Sequence, residues 1–292
     1  MNKKRIYPWW FVLVPVLLYV CFFLVPSLLG VFYSFTDWNS RSMGKVSFIG
    51  LKNYMEIFTS NKDYASGIFN TLKFTVISNI LKIVPALFLA IMLQEGIRGK
   101  NVYRTILYLP SILPFMIIGL TFKSILNYNT GLLNTVLDAL HLGFFKQKWL
   151  SDLNVVWKSI YGVDAWRGIG YVMTIFLAGL NTIPQTYYEA AKIDGAGFWQ
   201  RVRHVTLPML SGAIMINLVF GLTYGLKVFD VVYVLTNGGP GHATEVVTTY
   251  SYQLYSSGQY GMSTALNTVL LVITAVIGVL VVKTMSRQEV QQ

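Results

Sequence analysis

Two apolar segments of the chain carry polar and aromatic residues at helical spacing, and the chemistry of these residues suits a ligand rich in hydroxyl groups. In the first segment, Asp164, Arg167, Gly168 and Tyr171 follow one another at i, i+3, i+4 and i+7. One helix face would therefore present a carboxylate, a guanidinium, a gap and a phenol. Planar charged groups form paired hydrogen bonds, and an aromatic ring stacks on the apolar face of a sugar ring. The spacing predicts a polar ligand site on this face.

The second segment repeats the pattern with Gly221, Tyr224, Gly225 and Val228, where the glycines would open a cavity beside the tyrosine. A purely structural interpretation fits the same residues. Asp164 and Arg167 would then neutralise each other one turn apart, and the glycines would permit close helix packing. The residues alone leave both interpretations open.

The composition indicates that these helices lie in a membrane. Hydrophobic residues make up 54% of the 292 and charged residues 12%, about half of the ~25% that soluble domains carry. The mean hydropathy of +0.54 agrees, and together these values exclude a water-soluble enzyme. The net charge of +11 indicates basic loops rather than a nucleic-acid partner. The single cysteine, Cys21, excludes an intrachain disulfide.

Six stretches are long and apolar enough to cross a bilayer, for which about 20 residues are needed. They cover residues 9–35, 68–93, 103–126, 154–180, 207–235 and 262–282. The sequence therefore predicts an all-α, polytopic membrane protein with six transmembrane helices. Charged residues inside the spans are costly. Of these, Lys73 and Lys82 are predicted to brace neighbouring helices, and Lys227 and Asp230 to form a structural pair.

The distribution of basic residues predicts that both termini are cytoplasmic. Segments 1–8, 94–104, 182–206 and 283–292 carry eleven of the 23 lysines and arginines, whereas the loops on the opposite side carry six. Cytoplasmic loops are the ones enriched in lysine and arginine. The N-terminal run is too long for a cleaved signal peptide and predicts an uncleaved anchor.

The cytoplasmic segment Glu189 to Pro208 is too patterned for a simple turn. Its residue types predict two short helices that meet at a corner formed by Gly195 and Gly197. Small alanines and fixed acidic groups would suit close approach by another protein. The alternative is an amphipathic helix that lies on the lipid surface through Lys192 and the following arginines.

This segment resembles the EAA loop of ABC importer permeases, with E-A-A at 189–191, D-G at 194–195 and L-P at 207–208. Four further strings are similar to the maltose-type, carbohydrate-uptake branch of these permeases. They are FIGLKNYMEIF at 48–58, VYRTILYLPSILP at 102–114, LTNGGPG at 235–241 and GQYGMSTALNTVLL at 258–271. The LTNGGP string resembles the permease that holds the sugar. The extra N-terminal spans and the large periplasmic insert of the maltose permease are not seen, so the sequence resembles the shorter six-span members.

The resemblance implies the type I architecture of ABC importer permeases, with a permease core at 68–287 that contains a coupling loop at 187–208. Residues 1–67 would form the N-terminal tail, first helix and external loop, and 288–292 a cytoplasmic tail. In the family, the EAA loop enters a cleft on a cytoplasmic ATPase. By that resemblance Glu189 would pair with a basic group, Ala190 and Ala191 would allow close packing, Asp194 would offer an acceptor, and Gly195 would form the corner.

The resemblance also implies a sugar site on three helices. Aligned through the flanking motifs, the family's contact positions fall on the two sets of four residues named above and on Ser111 and Phe115. Arg167 replaces an uncharged residue of the maltose permease. That difference suggests an acidic or differently linked saccharide.

The implied partners are a second homologous permease, two cytoplasmic ATPases, an extracytoplasmic solute-binding protein, a carbohydrate and membrane lipid, in a bacterial cytoplasmic membrane. No GxxxxGK[ST] string occurs and the three histidines stand far apart, so neither a nucleotide, a metal or another cofactor nor an enzymatic activity is expected. A permease for a polyol or glycerol phosphate is the alternative. An ion-coupled secondary transporter is a further one, against which the EAA loop argues.

Overall fold

The computed structural model describes residues 10–41, 44–60, 62–96 and 98–289, and these residues are mostly helical. Within those ranges no β-strand occurs, and one isolated antiparallel bridge pairs Thr36 with Phe48. The predicted all-α class is confirmed. The basic N-terminal segment 1–8 and the last three residues, which carry part of the topology prediction, lie outside the described residues.

The helices are named in chain order. They are α1 (Trp10–Tyr33), α2 (Lys62–Gln94), α3 (Lys100–Ile112), α4 (Phe115–Ile125), α5 (Leu132–Ala139), α6 (Val156–Asn181), α7 (Gln185–Ile193), α8 (Phe198–Met209), α9 (Ser211–Leu226), α10 (Asp230–Leu235), α11 (Val247–Ser256) and α12 (Tyr260–Glu289). Shorter helical turns occupy Lys52–Met55, Glu56–Ser60 and Gly143–Phe145.

Three helices of the described chain are long and apolar enough to cross a membrane, namely α1, α2 and the Tyr260–Val281 part of α12. The number rises to five if the bent pairs α3 with α4 and α8 with α9 each form one span. Helix α6 is not among them, although its 26 residues would extend over about 39 Å. It carries Lys158, Asp164 and Arg167, which make it less apolar. The count of six spans stays a prediction.

Two predicted spans are not continuous helices. The span expected at 103–126 bends by 95° between α3 and α4. The cause is Pro114, whose ring disfavours a helical conformation of the residue before it, and Leu113 is accordingly extended at φ −70° and ψ 139°. The span expected at 207–235 ends at Leu226, and a separate helix, α10, follows. Between α9 and α10, Lys227 is exposed and the next residue, Val228, is buried in an apolar cluster. The chain is no longer helical at these residues.

The chain divides into two compact units, residues 1–65 with 250–272 and residues 66–249 with 273–292. In the first unit, the segment after α1 is held by a side chain of one motif string and by a backbone N–H of another. The Asn53 amide donates to the carbonyls of Ser34 and Thr36 at 2.9 and 3.0 Å. The Gly261 N–H donates to the carbonyl of Trp38 at 2.8 Å. These strings therefore have a structural use in this unit.

The second unit has two apolar clusters along the same helices. One cluster contains Phe74 of α2 and Ile160 of α6 and extends to α4 and α10. The other contains Ala86 of α2, Phe176 of α6 and Leu210 just before α9. On α2 and α6, the residues between the two clusters include polar and charged side chains, such as Ser78, Lys82 and Asp164. This polar layer contains the candidate site.

Candidate functional site

A cavity of about 390 Å³ lies in the second unit, among helices α2, α3, α6 and α9. Its lining combines amide, hydroxyl, charged and aromatic side chains with two glycines. The lining residues are Asn79, Lys82, Ser111, Asp164, Arg167, Gly168, Tyr171, Val172, Asn217, Phe220, Gly221 and Tyr224. The volume falls in the range of about 300–1,000 Å³ that is typical of small-molecule sites.

The cavity lies near the middle of α2 and α6. Residues 79–82 follow Phe74 and precede Ala86 on α2, and residues 164–172 lie between Val163 and Met173 on α6. The polar layer therefore has an apolar cluster above and below it. A polar cavity between two apolar clusters is the arrangement expected of a solute site near the mid-depth of a membrane transporter.

Asp164 is the centre of the polar layer and is 2% exposed. Its Oδ2 lies 3.1 Å from the Lys82 ammonium and accepts a hydrogen bond of 2.5 Å from Ser78. Its Oδ1 accepts a hydrogen bond of 2.7 Å from the Tyr224 hydroxyl. The Lys82 ammonium also lies 4.3 Å from the centroid of the Tyr224 ring. Asp164 thus ties α2 and α9 to α6.

This network corrects the structural interpretation of the charges. One of the two interpretations that the residues leave open pairs Asp164 with Arg167 one turn away, but the ionic partner of Asp164 is Lys82 on another helix. A buried carboxylate is stabilised by a nearby cation and by hydrogen-bond donors, and α2 supplies both. The expectation that Lys82 braces a neighbouring helix agrees with this contact, although Lys82 also lines the cavity.

The glycines of α6 and α9 admit side chains of α2. A Cβ on Gly168 would lie 2.4 Å from Lys82 Cδ, and one on Gly221 would lie 1.6 Å from Asn79 Oδ1. Gly225 would meet the Cα of Thr75 at 2.7 Å. The expectation that these glycines leave empty space beside Tyr224 is therefore wrong for Gly225, because α2 packs directly against it.

Arg167 contributes a second cation to the cavity, and its surroundings differ from those of Lys82. The guanidinium carbon lies 5.0 Å from the centroid of the Phe115 ring. Its buried Nε has no hydrogen-bond partner among the described residues. The backbone carbonyl of Arg167 accepts a hydrogen bond of 2.7 Å from Ser111, which holds α3 against α6.

Seven of the ten predicted ligand-contact residues line the cavity, and three do not. The seven are Ser111, Asp164, Arg167, Gly168, Tyr171, Gly221 and Tyr224. Phe115 and Val228 belong to an apolar cluster, and Gly225 is covered by Thr75. Phe115 still supports the site, because its ring packs beneath the Arg167 guanidinium.

Sequence reasoning missed the amides of the site, Asn79 and Asn217, together with Val172 and Phe220. Asn217 is 2% exposed, its Nδ2 donates to the Val172 carbonyl at 3.4 Å, and its Oδ1 has no partner among the described residues. Neutral polar residues inside apolar helices were the available signal. Asn217 lies one turn before Gly221, on the face that the second motif had already marked.

The segment predicted to couple to an ATPase folds as two short helices, α7 and α8, with a glycine between them. Gly195 has φ +76°, which a residue with a side chain adopts only under strain. Its N–H donates to the Lys192 carbonyl at 3.0 Å, and the Ala196 N–H donates to the Ala191 carbonyl at 2.9 Å. These two bonds form a Schellman motif, which satisfies the last carbonyls of α7. The predicted corner is confirmed for Gly195.

Both helices of this segment expose apolar and charged side chains. Ile193 is 87% exposed and Trp199 is 68% exposed, while Glu189 and Ala190 are exposed on α7. Arg201 lies 3.6 Å from Glu95, which follows α2. The segment is therefore attached to the helix that carries Lys82 and leaves its outer face uncovered within the described chain.

The loop after α10 contains the rest of the LTNGGPG string, and the residues that follow the string, up to Glu245, tie α2 to α6. The Asn70 amide donates to the carbonyls of Ala243 and Glu245 at 3.2 and 2.9 Å, and the Trp157 indole donates to the Ala243 carbonyl at 3.1 Å. Gly238 has φ +85°, and a Cβ there would lie 2.0 Å from a Glu245 carboxylate oxygen. The string thus shapes the second unit rather than lining the cavity. Among the described residues, no group of His, Cys, Asp and Glu could hold a metal ion.

Comparison with known proteins places these features in context. The model of a family described as "Binding-protein-dependent transport system inner membrane component" matches residues 73–287. The chain is 35% identical over 286 residues to YurN of Bacillus subtilis, a probable ABC transporter permease protein, with 97% of each chain covered. It is 34% identical over 290 residues to AmyD of Thermoanaerobacterium thermosulfurigenes, a probable permease protein of a starch degradation products transport system, with 99% of this chain and 97% of AmyD covered.

Solved structures provide a comparison of the fold. The chain superposes with a TM-score of 0.82 on a chain of a bacterial ABC transporter involved in the import of the acidic polysaccharide alginate. The match covers 95% of this chain and 94% of that chain at 24% sequence identity. The two chains share a fold.

Proposed function

Because the chain belongs to the family of binding-protein-dependent transport system inner membrane components, we propose that the solute it carries across the membrane is a sugar or oligosaccharide. Membership confirms the predicted resemblance to ABC importer permeases and the predicted fold class. The chain is a multi-pass inner-membrane transport component and not an enzyme. The role of the EAA segment and the identity of the solute belong to the proposal.

The observation that carries the proposal is the cavity between the two apolar clusters of the second unit. Tyr171, which is 45% exposed, presents a ring of the kind that stacks on a sugar. Asn217 offers an unpaired carbonyl oxygen, and Arg167 an unpaired N–H. Orphaned buried polar atoms are costly unless a ligand satisfies them, and a polyhydroxylated ligand would do so. The relative AmyD, named for starch degradation products, agrees with a saccharide.

The α7–α8 corner would transmit the conformational change that ATP hydrolysis drives in the ATPase to this cavity. In the proposal, Glu189, Ala190, Ala191, Asp194 and Gly195 contact a cytoplasmic ATPase, and the exposed Ile193 and Trp199 fill its groove. The Arg201–Glu95 contact then links the ATPase to α2 and so to Lys82 and Asp164. A lipid-surface helix remains the alternative for this segment.

The complete importer would contain this permease core at 68–287, a second homologous permease, two ATPases and an extracytoplasmic binding protein. Closure of the ATPases would draw the two coupling corners together, open the permeases outward and admit the saccharide. Both termini would be cytoplasmic. Cysteines placed at Asn129 and Gln200 test that orientation, since an impermeant thiol reagent should label the first in intact cells and not the second.

Uptake by cells that express the chain with its own partner subunits tests the solute. Labelled neutral and acidic oligosaccharides, a polyol and glycerol phosphate form the panel. Tyr171→Ala should raise the KM for the transported saccharide about 2- to 13-fold, as expected for losing one aromatic contact of roughly 0.5–1.5 kcal/mol. Tyr252→Ala is the control, because Tyr252 is equally exposed at 46% and does not line the cavity.

Two results would contradict the proposal. Uptake of the polyol or glycerol phosphate with no saccharide uptake would assign the chain to the alternative solute class. Saccharide uptake with the same KM in Tyr171→Ala and the wild type would show that the saccharide does not bind in this cavity.

A further inference from the structure

The charges that line the cavity do not balance. Lys82 and Arg167 are basic and Asp164 is acidic, so in their ordinary charged forms the lining carries one positive charge in excess. Inside a membrane, such a charge is costly unless it is paired. The identity of the unpaired cation decides what the cavity can bind.

Asp164 is already engaged by three groups of the protein. Lys82 and Ser78 occupy Oδ2, and Tyr224 donates to Oδ1. The Lys82 ammonium is therefore compensated within the protein, and it also lies over the Tyr224 ring. This network is complete before any solute enters.

Arg167 is the cation without a counter-charge. Among the residues that the structure describes, none of the ion pairs includes Arg167. Its Nε is buried and makes no hydrogen bond, and the Phe115 ring beneath the guanidinium provides stacking but no acceptor. A guanidinium is a rigid, planar fork whose geometry matches two oxygens of one carboxylate.

We propose that the cavity selects saccharides that carry an anionic group, and that Arg167 binds the carboxylate of a uronate unit as a bidentate partner. The inference rests on the proposed function and adds the chemical class of the solute. Sugar hydroxyls would satisfy the hydrogen-bonding capacity of Arg167 but not its charge. The neighbouring Asn217 carbonyl and Tyr171 ring would accept a hydroxyl and stack on the sugar ring of the same unit.

A phosphate group offers the same oxygen chemistry, and the experiment distinguishes the two. Uptake is measured in cells that contain the complete transporter, with digalacturonate, the neutral disaccharide of the same linkage and a phosphorylated disaccharide as probes. The wild type should take up the uronate with a KM roughly 10- to 100-fold lower than that of the neutral sugar, the factor expected for a charged hydrogen bond.

Two variants and a control locate the preference. Arg167→Gln should remove the preference for the uronate while the complex still assembles, as judged by size-exclusion chromatography. Arg167→Lys keeps the charge without the fork and should keep a weaker preference. Lys227→Gln removes an exposed cation that does not line the cavity, and its preference should equal that of the wild type.

Other results would overturn the inference. A preference for the phosphorylated disaccharide would exclude the carboxylate. Equal or better uptake of the neutral sugar by the wild type, or a preference that persists in Arg167→Gln, would exclude anion selection while the saccharide function stands. Uptake of none of the three disaccharides, with uptake of a polyol, would instead refute the proposed function.

Discussion

The stability of the second unit should be sensitive to loss of either partner of the Asp164–Lys82 ion pair. Asp164→Asn keeps the size of the side chain but leaves the Lys82 ammonium without its counter-charge, in a site where the two side chains are 2% and 8% exposed. Removing one partner of a buried pair leaves an uncompensated charge and costs about 3–5 kcal/mol. We expect Asp164→Asn to lower the free energy of unfolding by that amount.

The double variant Asp164→Asn with Lys82→Met should be more stable than the sum of the single changes predicts. It removes both charges, so the two changes should couple by about 1–3 kcal/mol, the range typical of contacting residues. Unfolding of the detergent-solubilised permease by SDS, followed by circular dichroism, would give the free energies for this cycle.

The pair Lys146–Asp138 provides a matched control. Its N–O distance of 2.7 Å is shorter than the 3.1 Å of the buried pair, but its side chains are 30% and 54% exposed. Exposed ion pairs are screened by water and contribute little to stability, so Asp138→Asn should have little effect. If Asp164→Asn costs no more than Asp138→Asn, or if Asp164 couples to Arg167 rather than to Lys82, then the assigned network is wrong.

Two pairs of glycine substitutions test the packing of α9 against α2 and the need for the turn at Gly195. Gly221→Ala should cost about 1–3 kcal/mol of stability through overpacking against Asn79. The control is Gly212→Ala on the same helix, where the added methyl group meets no atom within 4 Å and should stabilise the protein by up to about 1 kcal/mol. Equal effects of the two substitutions on SDS unfolding would argue against the packing of Gly221 on Asn79. Gly195→Ala should cost about 1–2 kcal/mol of stability because of the positive φ at this position, and it should lower the uptake obtained per ATP hydrolysed. Gly197→Ala, at φ −68°, should have neither effect. Normal coupling of uptake to ATP hydrolysis in Gly195→Ala would mean that the corner is not needed.

The predictable part of the fold is the part that hydropathy determines. Apolar runs place α1 and α6 within two residues at either end, because a bilayer demands an uninterrupted apolar length. They also locate α2 and α12, although α2 begins six residues before its predicted span and α12 ends seven residues after its own. The break at Pro114 and the end of α9 at Leu226 were missed. An apolar run does not reveal where a helix bends, because that depends on local backbone strain and on which side chains the core takes up.

The site was predictable where its residues share one helix face. The spacing of Asp164, Arg167 and Tyr171 brought three lining residues together before any tertiary contact was considered. The ionic partner of Asp164 was not predictable, because Lys82 belongs to another helix and its approach depends on Gly168. Periodicity describes one helix at a time, whereas this network arises from three.

Protection of a cysteine in the cavity by saccharide tests the central claim most directly. Val172→Cys, in a chain with Cys21→Ser, places a thiol among the lining residues with little change in size, and Asn129→Cys provides an exposed reference. In the complete transporter, a transported saccharide at ten times its Kd should slow labelling of Cys at position 172 about tenfold, because about one cavity in eleven stays free. Labelling at position 129 should not change. An unchanged labelling rate at position 172, with uptake of that saccharide intact, would contradict the account, because the solute would then cross the membrane without occupying this cavity.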